Sequence, residues 1–166
     1  MFELKSLQRD AVPAAHEKAH LYRLLNEPRL AESICKDILA VEPGRRETMV
    51  SLILALSDQL APHANAKMNE ALALIDQLDD AYSRDYYRGI IHERWAKGHV
   101  AARGPASGYI AYDWFRKAMA YYEKAEALRP AGNDDAILRW NTCARVIDGD
   151  PSIRPSPHEP AHTMLE

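Results

Sequence analysis

Two histidine pairs are the side chains best suited to chemistry, and each can be set against what its reaction requires. His16 and His20 stand four residues apart, which on a helix puts both imidazoles on one face and could supply two metal ligands. A metal would also need a third ligand and a carboxylate base, but Glu17 lies about 100 degrees further round the helix and faces elsewhere. His16 and His20 therefore read as surface or groove histidines. His158, Glu159 and His162 spell a zinc-protease motif in HEPAH, which works only when a helix aligns both histidines. Pro160 inside that helix would remove a hydrogen bond at a cost of about 3 kcal/mol. Its proline-rich setting offers neither a third ligand nor a water-excluding pocket, so the match reads as chance.

The remaining candidates are weaker. GHVAARGPASG, residues 98 to 108, has three glycines and one proline but no lysine followed by serine or threonine and no preceding strand, so it lacks the parts that cradle a phosphate. It reads as a turn between helices. Cys35 and Cys143 lie far apart in apolar contexts, without the close spacing of a zinc knuckle or redox pair, and read as small core residues. No catalytic residue, metal or cofactor is assigned.

The elements that position these residues fit an ordinary globular composition. Apolar residues make up 47% of the 166 and charged residues 27%, which is neither disordered nor membrane-spanning. Lys and Arg number 21 against 24 acids, a net charge of -3, so a generalised basic surface for nucleic acid is missing. The opening MFELKSLQRDAVPAA has no apolar run of seven or more before a small-residue cleavage site. A cytoplasmic location is expected.

Helical spacing dominates. Ala15, Ala19, Tyr22 and Leu25 recur every three or four residues, and Pro28 opens a second helix whose stripe runs from Leu30 to Val41 before Pro43 and Gly44 stop it. A second pair is expected over 46–60 and 66–78, joined by APHAN. A fifth helix is expected over 83–97, a sixth over 109–128 and a seventh over 136–147, with no confident strand. Residues 1–148 read as one domain. The stretch 149–166 holds four of the ten prolines and reads as a mobile tail.

A spacing recurs within this pattern. Ala31, Cys35, Ile38 and Pro43 overlay on Ala118, Tyr122, Ala125 and Pro130, and Ala71, Ile75 and Leu78 repeat the interval without the proline. With Ala19 and Tyr22 in the preceding helix, the pattern resembles the tetratricopeptide repeat family, whose helix hairpins of 34 residues stack on one another. Ala15 and Met49 stand where that family has its early tryptophan, and Ile53 where it has a small residue. Between Pro43 and Pro130 lie 87 residues, where two plain repeats would take 68. The surplus is assigned to the APHAN and GHVAARGPASG turns, which would then project from one edge.

The resemblance implies an all-α, right-handed superhelical stack of three antiparallel hairpins closed by a capping helix with Ala136, Trp140, Cys143 and Ile147 on its packing side. Short hairpins cannot bury their stripes singly, so each leans on the next. It also implies a concave groove lined by the first helices: His16, His20 and Arg23, then Glu47, Val50, Leu54 and Asp58, then Tyr86, Ile90 and Arg94, with Asn141 and Arg145 from the cap. That mix suits a peptide carrying a carboxylate or several acceptors. His16, His20 and Ser51 stand where a chaperone-tail clamp would have lysine and asparagines, which disfavours such tails. In the dense series Tyr109 to Tyr122, the positions Tyr112, Phe115, Met119 and Tyr122 read as core, and Trp114 and Tyr121 as anchors if exposed. The expected function is a non-catalytic adaptor for a protein or peptide partner. The alternatives are a structural subunit of a homo-oligomer or larger complex and, more remotely, an enzyme using His16, His20, Tyr86 or Arg94.

Overall fold

The computed structural model describes residues 2–157. Every regular element among them is helical: a 3-10 turn at Arg9–Ala11, then α1 (Val12–Leu24), α2 (Pro28–Val41), α3 (Arg46–Ser57), α4 (Asn65–Ile75), α5 (Ala81–Ala102), α6 (Ser107–Leu128) and α7 (Asp135–Gly149). The all-α class and the seven helices agree with the spacing. HEPAH lies outside the described residues. No helix among the described residues is long and apolar enough to cross a membrane.

Local chemistry sets the boundaries. Proline occupies the first turn of both α1 and α2, where its missing N–H would have had no helical partner. Between them Asn26 takes φ 60°, a left-handed conformation that asparagine tolerates. Asp80 caps α5, its Oδ1 accepting the Ser83 backbone N–H at 2.7 Å.

Each helix packs against the next in sequence, and α1 also touches α3 while α3 touches α5. The first helices of the three hairpins therefore lie side by side. All nine overlaid repeat positions, Ala31, Cys35, Ile38, Ala71, Ile75, Leu78, Ala118, Tyr122 and Ala125, are buried. Each large apolar side chain among them stabilises the fold by about 1.5–3 kcal/mol relative to exposure. One core runs through α1 to α5 around Ile53, Leu56 and Ile91, and a second joins α5, α6 and α7 around Phe115, Tyr122 and Cys143. Tyr87 and Trp114 pack against both.

The middle of the chain differs from expectation. GHVAARGPASG is not an eleven-residue loop: α5 continues through Ala102, α6 starts at Ser107, and four residues join them. The glycines mark close approaches instead. A Cβ on Gly98 would lie 3.0 Å from the Leu60 carbonyl oxygen, and one on Gly108 only 2.0 Å from that of Ser152. A Cβ on Gly89 would fall 2.4 Å from the Tyr122 ring, so α5 and α6 meet with no room for a side chain there. Much of the surplus length thus enters two helices of 22 residues each, and there is no pair of long turns on one edge. Helices α3 and α4 end about three residues earlier than their stripes suggest, at Ser57 and Ile75.

The expected tail is anchored where it begins. Asp150 Oδ1 accepts the Ser152 N–H at 2.9 Å and its hydroxyl at 2.7 Å, a turn that delivers Ile153 into the second core. Arg154 lies over the Tyr109 ring at 5.9 Å. A cavity of about 500 Å³ opens beside this strap, between Arg103, Ser107, Tyr109 and Arg154.

Candidate binding surface

The side-by-side first helices bring together three residues from the expected groove. Asp58 follows the last turn of α3, and its Oδ2 accepts Arg23 Nε of α1 at 2.8 Å. Arg94 of α5 places Nη1 3.2 Å from Asp58 Oδ1. One carboxylate, 16% exposed, thus holds two guanidinium groups from helices on either side. The cluster keeps one positive charge in excess, and guanidinium donors outnumber the oxygens they meet. Arg94 Nε is buried without a protein partner. An unpaired buried donor costs about 1–3 kcal/mol.

The other groove candidates are dispersed. His16 Nδ1 shares a 3.2 Å hydrogen bond with Thr48, a fully buried residue on α3, so this histidine braces α1 against α3. His20 is exposed. Glu47 is exposed and pairs with Arg45 at 3.3 Å. Val50 and Leu54 are half-buried against the two cores.

Two expectations on α5 are corrected. Ile90 is buried in the second core. Tyr86 packs against that same core, stacked on Tyr82 at 5.7 Å and edge-on to Tyr87 at 5.3 Å, because the α5 surface it occupies is covered by α6 and α7. Asn141 is half-buried and Arg145 exposed on α7, which packs on α6, and neither joins the Asp58 cluster. Among the described residues, no three His, Cys, Asp or Glu side chains gather as a metal ion would need.

Trp114 and Tyr121 are not free anchors. Both are half-buried, with His92 stacked between them at ring distances of 5.2 and 5.0 Å. Lys117 lies 4.3 Å from the Trp114 ring centre and Lys124 5.2 Å from that of Tyr121. His92 Nδ1 is 2.7 Å from the Arg88 carbonyl oxygen, in position to donate. Burial, together with the Lys117 and Arg88 charges, holds this imidazole below its ordinary pKa despite that bond.

A second carboxylate cluster escaped the sequence reading. Glu93 is fully buried. It accepts Tyr122 Oη at 2.6 Å, Arg139 Nη1 at 3.3 Å and Lys97 Nζ. Burial alone would raise its pKa, but the hydrogen bonds from Lys97 and Tyr122 and the charges of Lys97 and Arg139 carry it below the ordinary carboxylate range. The Glu93–Lys97 spacing of four was visible in the sequence. Tyr122 and Arg139 lie 29 and 46 positions away, too far for any local pattern to reveal.

Both cysteines are free and buried, and burial pushes their thiols up to about 11 for Cys35 and about 12 for Cys143. Neither is an activated nucleophile. Comparison with protein-family models, with curated proteins and with solved structures finds no match to this chain.

Proposed function

We propose that the protein is a non-catalytic interaction module, a TPR-like adaptor, that receives an acidic segment or a free carboxylate of a protein partner against α1, α3 and α5. The observation that carries this reading is the pair of guanidinium groups from Arg23 and Arg94 converging on Asp58 with charge and donors to spare. Arginine forks suit carboxylates through paired, charge-assisted hydrogen bonds. The alignment of the three first helices and the buried repeat positions support a right-handed superhelical stack with that face on its inner side. The overall charge of -3 disfavours nucleic acid as the partner. Two free cysteines suit a reducing, cytoplasmic address.

A random hexapeptide pool tests the idea, presented once with free C-termini and once as C-terminal amides. Free-acid and acidic peptides are expected to be retained, with retention falling as salt rises. Changing Arg23 and Arg94 together to Gln should weaken retention by about tenfold or more while helical circular dichroism is unchanged. Retention that ignores both the carboxylate and the double substitution refutes the reading.

A further inference from the structure

The first hairpin carries a surface that the Asp58 cluster does not use. Of the nine large apolar side chains exposed among the described residues, six fall within residues 2–30. Leu21, Leu24 and Leu25 are 51%, 71% and 60% exposed. Between α1 and α2 lies an apolar groove of about 310 Å³, floored by Leu7, Ala11, Ala14, Ala15 and Ile34. Its charged wall residues are Lys18 from α1 and Asp37 from α2. Neither forms an ion pair within the described residues.

Ala14, Lys18 and Leu21 follow one another at intervals of four and three on α1, and Ala11 and Leu25, which flank the helix, continue that spacing. On a helix this is the seam that packs against a second helix, and a single lysine within such a seam selects register and partner. Small side chains at Ala11, Ala14 and Ala15 allow an incoming helix to approach closely. We infer that this groove is where a second copy of the chain docks, α1 against the α1–α2 groove of its partner about a two-fold axis. Charge decides the occupant: one groove holds an unpaired cation on one wall and an unpaired anion on the other, so a two-fold rotation sets each Lys18 opposite the other copy's Asp37. The surface is thereby complementary to itself, as an isologous contact requires.

Light scattering on the full chain during size exclusion, across a dilution series, measures the pair directly. The wild type is expected to be a dimer at micromolar concentration. Lys18→Glu and Asp37→Lys, each alone, should weaken dimerisation by at least ~10-fold, because each places two like-charged contacts in the interface. The double variant should restore the dimer, with helical circular dichroism equal in all four proteins. A wild type that is still a monomer at about 100 μM, a hundredfold above a micromolar constant, overturns the inference. So does a dimer indifferent to both single reversals, or a double variant that stays monomeric.

Discussion

Asp58 and Glu93 each gather two cations, and they do opposite things with them. Asp58 sits at the end of α3 and keeps 16% of its side chain exposed, while Glu93 is sealed at 0% within α5, α6 and α7 and has a third donor in Tyr122. The sealed cluster is satisfied and holds three helices in register. The less buried one has guanidinium donors left over, among them the unpaired Arg94 Nε. Composition is similar in the two, so burial and the count of donors against acceptors separate a structural pin from a place where a ligand could bind.

Removing each carboxylate tests this contrast. Glu93→Ala leaves the Tyr122 hydroxyl buried without its acceptor and strands Lys97 and Arg139, and should destabilise the protein by about 3 kcal/mol in urea unfolding. A loss below about 1 kcal/mol, the range of exposed pairs, would erase the distinction. Acid should reveal the same cluster. A carboxylate whose pKa is lower in the folded chain contributes its full stability above its unfolded pKa and loses it as pH falls through the folded one. Glu93 is depressed, and so is Glu32, which falls from 4.5 to about 2: burial opposes that shift, and the hydrogen bonds from Lys36, Lys67 and Gln59 outweigh it. Stability should therefore decline from about pH 4.5 down toward pH 2, and Glu93→Gln should flatten the decline when unfolding midpoints are compared across that range. The smallest effect is expected at Asp58→Asn, under about 1 kcal/mol, since the amide oxygen still accepts from one of the two guanidinium groups. A larger cost in the same urea titration would make Asp58 a second pin and weaken its claim as a site.

Much of the fold was legible because the signals were local. Pro28 and Pro43 bracket α2 within a residue or two, and the interval from Ala31 through Cys35 to Ile38 marked buried positions in all three hairpins. The α5–α6 connection was misread because glycine has two uses. At Gly98 and Gly108 it makes room for another backbone rather than a turn, and sequence cannot tell these apart without knowing what passes nearby. The site was legible only in part. Arg23, Asp58 and Arg94 were named from the repeat register and do meet. Tyr86 and Ile90 were assigned to the same face, but α6 and α7 cover them, and nothing near either residue encodes that cover. Glu93 went unnoticed because a charged letter inside a helix looks solvated until its distant partners are placed.

Glu93 and Arg94 are neighbours in the chain, yet one is fastened to α6 and α7 and the other to α3. Helix α5 is consequently a beam clamped from both sides. Twisting it about its long axis would tear an ionic rivet on each flank at once, so a load applied through Arg94 is carried by the whole stack rather than absorbed by one coil.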